Sequence, residues 1–302
     1  MDTQQERENV GLFDDRYRAF LETIAQVRPR LHRYCARMLG SVMDGEDLVQ
    51  DVLFQAYRKL DAYDDSRPLT PWLFGIAHNL CIDALRRRGA RIDAEQGATG
   101  DETVQPAEPA GPAVGRALEH LVLTLPPKER ACVLLKDVFD YSLEEIAELV
   151  DSTVGGVKAA LSRGRGKLSS TPTAPVPSAR RTVTVETAQI LRLYCERFNQ
   201  HDWDGVRELV SADARLLFPN GFAGRLADSP YFSRYETAPE WRMVVGEVDG
   251  EPVLVRCARE NGAWRPASVI RLELSGGRIV LISDYFWSPW VLSAAASVLT
   301  DS

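Results

Sequence analysis

Apolar residues recur in the first third of the chain with the period of a helix. Leu48, Val49, Val52, Leu53, Ala56, Tyr57 and Leu60 make one stripe, and Trp72, Leu73, Ile76, Ala77, Leu80, Cys81, Ala84 and Leu85 a second. Between them Tyr63 to Thr70 (YDDSRPLT) reads as a loop, with Thr70 placed to cap and Pro71 suited to a first helical turn. The second stripe runs out at Arg86, Arg87 and Arg88, and Gly89 marks the expected helix end. A further helical block covers Arg116 to Leu168, through Leu118, Leu121 and Leu125, a break at Pro126-Pro127, then Val133, Leu134 and Val138. Ser142 is placed to cap a helix over Leu143 to Val150 with Glu145 in the capping-box position; after Asp151, Ser152 and Thr153 another helix passes Val157 and Leu161. That spacing predicts a helix-turn-helix. From Thr182 the period changes. Helical stretches at Val185 to Asn199 and Trp203 to Val210 precede alternating segments at 214–218, 241–248, 252–257, 267–274 and 278–286, with turns at Asp249-Gly250, Asn261-Gly262 and Gly276-Gly277. The pattern predicts two all-α domains, a helical bundle and a helix-turn-helix, then a C-terminal α+β domain with a curved antiparallel sheet.

Two polar stretches divide these blocks. Gly89 to Gly115 carries five acids against one arginine and no apolar period, as expected of a flexible acidic linker. Ser169 to Arg181 holds three prolines, which favours an extended spacer. The expected organisation is therefore domains at 10–88, 116–170 and 182–302 joined by linkers at 89–115 and 171–181, within what 302 residues allow. No apolar run approaches the roughly 20 residues of a membrane span, and Met1 to Asn9 is polar, so a cytoplasmic location is expected. Five cysteines, an odd count with no CxxC pair, call for neither a zinc site nor a disulfide framework and fit small buried hydrophobes. The sequence carries no catalytic constellation, metal-site spacing or cofactor motif.

The net charge of −7 opposes general nucleic-acid binding, yet Lys158, Arg163, Arg165 and Lys167 set four bases and no acid along the last helix of the helix-turn-helix. A one-sided basic helix suits a major groove. The segment from Thr182 onward has 12 Arg, no Lys and 16 acids, hence no cationic footprint.

Three ordered motifs carry a resemblance: Asp44-Gly45-Glu46-Asp47-Leu48-Val49-Gln50-Asp51-Val52-Leu53, then Trp72-Leu73-Phe74-Gly75-Ile76-Ala77-His78-Asn79-Leu80-Cys81-Ile82-Asp83, then Leu125-Pro126 with Tyr141 to Ala147 and Val157 to Arg165. Over about 150 residues the chain resembles an extracytoplasmic-function (ECF) sigma factor of the bacterial sigma-70 family. The resemblance implies core RNA polymerase binding through Asp47, Leu48, Gln50, Asp51 and Phe54. It implies minus-ten recognition and melting of promoter DNA by Trp72, Asn79, Asp83, Arg86, Arg87 and Arg88, and minus-thirty-five reading by Thr153, Gly156, Lys158, Ser162, Arg163 and Arg165. Melting needs a pocket for an unstacked base and cations for single-stranded phosphates, and the 63–70 loop with the following helix can supply both. Trp72, at the start of an apolar stripe, fits a core position better than a stacking platform, and His78 a surface or interface position better than a catalyst. The chain departs from the family at Gly156, Ala159 and Ala160, which lose polar side chains, and Gly155 and Gly156 each cost roughly 1 kcal/mol of helix relative to Ala.

Tyr194 to Asp204, Asp213 to Leu216, Arg271 to Leu274 and Ile282 to Tyr285 resemble a SnoaL-like domain of the nuclear-transport-factor-two superfamily. That resemblance implies a cone-shaped α+β fold used for regulation of sigma activity in cis, with Phe218, Tyr231, Trp241, Trp264, Asp284 and Tyr285 as a candidate small-molecule pocket, although such an aromatic set is first of all a core or domain interface. His201 falls at a turn and Asp284 has no evident acid-base partner, so the domain reads as a non-enzyme. The alternatives are a freestanding helix-turn-helix regulator and a bifunctional chain whose last domain is an isomerase or cyclase. The sequence names no promoter, ligand or anti-sigma partner.

Overall fold

The computed structural model describes residues 2–96, 124–170, 184–219, 223–236 and 240–300, apart from 65 and 296. Most of the 89–115 linker and all of the 171–181 linker lie outside the described residues. The described chain forms two compact units. The first takes the described residues to 39, from 47 to 96 and from 124 to 170; the second takes 40–46 and the described residues from 184 onward.

In the first unit, α1 (Asp2–Leu39), α2 (Val42–Arg58) and α3 (Leu69–Gln96) bury Leu31, Tyr34, Met38, Val49, Val52, Leu73, Phe74 and Ala77. Both apolar stripes thus face one core. Helix α3 does not end at Arg88 but continues through Gly89 to Gln96: one glycine costs only about 1 kcal/mol of helix, and nothing crowds that position. Next come α4 (Pro127–Val133), a π-helical turn at Leu134–Val138, α5 (Leu143–Leu149) and α6 (Val154–Ser170). The capping box forms as the spacing predicts: Glu145 N–H donates to Ser142 Oγ at 3.1 Å and Ser142 N–H to Glu145 Oε2 at 2.7 Å. Gly164 of α6 lies flat on α4, where a Cβ would come within 2.9 Å of Val133 Cγ2. The two α domains read from sequence share this unit. Phe74 of α3 touches Phe139 and Tyr141 at ring-centroid distances of 5.5 and 5.4 Å, and the buried Arg130 donates to the carbonyls of Met38 and Leu125.

His78 is buried rather than at a surface, with Nδ1 at 2.9 Å from Tyr34 Oη. Burial, then the nearby Lys128 charge, push its pKa down to about 4. The ring is therefore neutral at pH 7, as a buried partner of a phenol must be.

The second unit carries α7 (Val185–Asn199), α8 (Trp203–Glu208), α9 (Tyr231–Glu236), α10 (Trp290–Ala294) and strands β1 (Val210–Leu217), β2 (Ala223–Arg225), β3 (Trp241–Val248), β4 (Glu251–Glu260), β5 (Ala263–Ser275), β6 (Arg278–Asp284) and β7 (Val298–Thr300). They form one sheet in the order β2-β1-β6-β5-β4-β3-β7. The α+β class holds, with one correction: the sheet is mixed, because β6 returns beside β1 and pairs with it in parallel. Asp249-Gly250 and Asn261-Gly262 take positive φ at both residues, the geometry a two-residue hairpin needs.

Candidate nucleic-acid and polymerase interface

Helix α2 presents two kinds of surface. Asp51 is exposed, Phe54 is 61% exposed despite being aromatic, and Asp47 and Gln50 are half-buried; Leu48 is buried and supports the helix from within, so it cannot meet a partner as expected. The start of α2 belongs to the second unit. There Glu46 is fully buried, its carboxylate accepting from Ser288 Oγ at 3.0 Å and Trp290 Nε1 at 2.6 Å. Asp44 takes the Arg271 guanidinium at 2.6 Å, and Arg271 also faces Glu251 at 3.6 Å. A buried carboxylate is tolerated only when its lone pairs are met. The sequence singles out neither Ser288 nor Trp290, beyond the Trp-Ser-Pro-Trp run at 287–290, and Arg271 only as part of the 271–274 motif.

The 63–70 loop is held by its own polar side chains. Ser66 N–H and Oγ donate to Asp64 Oδ1 at 3.0 and 2.7 Å, and the Tyr63 hydroxyl donates to the Arg67 carbonyl. Trp72 lies half-buried against Tyr63, centroids 4.6 Å apart, and so is neither core nor free. Together with Lys59, Arg67, Pro68 and Asn79 these rings line a cavity of about 610 Å³. Asp83, Arg86, Arg87 and Arg88 stand further along α3, outside it. Arg86 pairs with Asp83 at 3.4 Å, and Arg88 donates to the Leu39 carbonyl at 3.5 Å.

On the helix-turn-helix, Lys158, Ser162 and Arg165 meet Lys136 and Leu143 around a groove of about 620 Å³. Thr153 caps α6 by accepting from the Gly156 N–H at 3.0 Å. A Cβ at Gly156 would meet Ser152 Oγ at 2.6 Å, so glycine suits this turn. The basic stripe is partly neutralised within the domain. Arg163 and Lys167 both hold Glu129 at 2.8 Å, which depresses the Glu129 pKa through those hydrogen bonds, and Arg165 is bidentate to Asp137 at 3.1 and 2.5 Å. Arg163 thus turns away from the groove that Arg165 lines.

In the second unit, Phe218, Tyr231 and Tyr285 are buried and Trp241 packs on the core, while Trp264 lies apart under Arg242 and Arg259. Contrary to the sequence reading, Asp284 has partners: Tyr235 Oη donates at 2.5 Å and Phe286 N–H at 2.9 Å. Burial pushes its carboxyl up to about 6 against the opposing pull of these donors and Arg256. Tyr194 and Tyr231 complete the polar core at 3.4 Å between hydroxyls, and Phe198 fills the surrounding space against Trp203, Tyr231, Phe232, Tyr235 and Trp241.

A sigma-70 region 2 model matches residues 23–91 and a sigma-70 region 4 model residues 115–168. The chain is 30% identical over 162 residues to the ECF RNA polymerase sigma factor SigW of Bacillus subtilis, covering 50% of this chain and 87% of SigW. It is 28% identical over 312 residues to the ECF RNA polymerase sigma factor SigG of Mycobacterium tuberculosis, covering 88% of this chain and 80% of SigG. Among solved structures it is similar to the sigma factor RpoE of Bartonella quintana, crystallised with the anti-sigma factor NepR, with a TM-score of 0.42, 26% identity and coverage of 50% of this chain and 94% of that one. On the match to SigW, the chain belongs to the extracytoplasmic-function RNA polymerase sigma factors of the sigma-70 family.

Proposed function

We propose that the chain gives core RNA polymerase its promoter specificity in the cytoplasm, and that the domain from 182 onward regulates this activity in cis. The face of α2 bearing Asp47, Gln50, Asp51 and Phe54 serves as the polymerase contact. Tyr63, Trp72, Asn79 and Arg67 serve as the minus-ten pocket, with Arg86 to Arg88 following the strand. Thr153, Lys158, Ser162 and Arg165 serve as the minus-thirty-five surface. The observation that carries cis control is Glu46: it sits one residue before Asp47, fully buried and bonded to Ser288 and Trp290. A polymerase that engages this helix start must compete with those bonds.

Polymerase dependence follows from charge. With Arg163 and Lys167 already paired to Glu129, fewer cations on this helix remain to neutralise phosphates, and non-specific affinity scales with that number. A freestanding repressor needs a stronger field. The test is transcription in vitro with purified core polymerase, comparing the full chain with one ending after Ser170. Initiation from the same start by both, with different output, is expected. No initiation and no core binding by either folded chain overturns the sigma reading; equal output and equal core affinity overturn cis control.

A second reading, an isomerase or cyclase in the last domain, draws on the 2.5 Å Tyr235–Asp284 bond and the raised carboxyl. Turnover of a small ketone lost in Asp284→Asn is its test. Asp284 is fully buried among aromatic rings, which favours a role in holding the domain together.

A further inference from the structure

The two DNA-reading surfaces share one cavity. Glu145, Glu148 and Leu149 of α5, in the helix-turn-helix, form a wall of the same 610 Å³ cavity that Tyr63, Trp72 and Asn79 line. Glu148 Oε1 accepts from Arg67 Nη2 at 2.7 Å, and Leu149, 8% exposed, sets its Cδ2 against Gly75, 3.7 Å from where a Cβ would stand. A carboxylate thus occupies the cation that a phosphate would use, and an apolar side chain stands where an unstacked base would enter.

This arrangement cannot read a promoter. Elements named minus ten and minus thirty-five are about 25 base pairs apart, about 85 Å of duplex at 3.4 Å per step. The two readers of the first unit instead touch through Phe74, Phe139 and Tyr141, with Arg130 bonded to the Met38 carbonyl.

We propose that α5 is an internal occupant of the minus-ten pocket, with Glu148 standing in for a DNA phosphate and Leu149 for a base, and that promoter engagement requires its withdrawal. The proposal rests on the minus-ten role given to this pocket above. It makes region 4 a self-inhibitor of region 2 in the free chain, and it predicts weak binding of minus-ten DNA without polymerase through competition as well as charge.

The test uses the full chain and a fluorescent single strand carrying the non-template minus-ten sequence of a promoter on which the holoenzyme initiates. Glu148→Gln is expected to raise the free chain's affinity for this strand about threefold, as removal of an exposed charge pair allows. Glu144→Gln, an equal charge change on an exposed acid of α5 that does not line the cavity, should leave it unchanged. Equal affinity of Glu148→Gln and the parent chain, or an equal rise in Glu144→Gln, overturns the proposal. A photo-cross-linking residue in place of Glu148 provides a second readout: it should link to residues 59–79 in the free chain and lose that link in the promoter-bound holoenzyme. A link that persists there overturns the proposal. Loss of initiation by the parent holoenzyme is a different failure, that of the underlying sigma reading.

Discussion

Aromatic rings beside a carboxylate occur in both units, with opposite fates. Around Tyr63 and Trp72 the rings are half-buried and the neighbouring Arg67 is exposed. Around Asp284 the rings of Tyr194, Tyr231, Tyr235 and Phe198 are sealed. The difference lies in the backbone that presents them. A proline-bearing loop that satisfies its own polar groups through Asp64 holds its rings at a surface, whereas the end of a central strand covered by α7 and α9 has no route to solvent. Rings held at a surface remain within reach of a partner, whereas rings closed on each other act on stability alone.

The largest test of this contrast is a pair of truncations. Phe198→Ala removes a buried ring that touches six other aromatic rings and should cost the C-terminal domain about 3–5 kcal/mol, read from its calorimetric unfolding transition. Trp72→Ala should cost the first unit about 1 kcal/mol or less while sharply reducing promoter opening. Equal destabilisation by both would break the comparison.

Acid should act in opposite directions through one buried group of each unit. Asp284 carries a folded-state pKa near 6 against 3.8 ordinarily, so it adds stability below about pH 4 that is lost as pH rises through 6. His78 carries a folded-state pKa near 4 against 6.5, so its contribution is present above about 6.5 and is lost as pH falls toward 4. Each amounts to about 3 kcal/mol between pH 7 and pH 4, with opposite sign. Asp284→Asn should flatten the slope of the second unit's transition alone, measured by denaturant unfolding across that range.

A smaller effect sharpens the reading of Glu46. Trp290→Phe keeps an aromatic, though smaller, ring and deletes the N–H that reaches Glu46 at 2.6 Å, which should cost about 1.5–3 kcal/mol of local protection, seen as faster amide exchange over residues 42–50. Unchanged exchange would make that bond incidental. The smallest effect concerns phosphate contacts. Lys158→Ala should lower the salt slope of holoenzyme binding to the promoter by about one ion, while Lys167→Ala, already committed to Glu129, should leave the slope near its parent value.

The longer elements were legible because their apolar positions keep one period: the helix Val185–Asn199 and the strand Trp241–Val248 fall where the pattern predicts them, and so do the capping box at Ser142 and the turns at 249–250 and 261–262. Short elements without a period of their own, such as β2, β7 and α10, were not. The parallel β1–β6 pairing was hidden because alternation gives the faces of a strand and says nothing of its neighbour. At the candidate sites, residue types were readable and partners were not. Asp284 seemed alone because Tyr235 lies 49 positions away, and the pairing of Glu46 went unread because Trp290 lies 244 positions away. Arg163 was readable as a base on the last helix, but its pairing with Glu129 was not, because Glu129 sits on another helix.

The most direct measurement is permanganate footprinting of unpaired thymines at the minus-ten element, with core polymerase, promoter DNA and the full chain. Reactivity should appear only when the chain is present, persist with Phe198→Ala at a temperature where that variant's first unit stays folded, and fall strongly with Trp72→Ala. Opening without the chain, or opening that Trp72→Ala leaves unchanged, would contradict the assignment of this pocket to promoter melting.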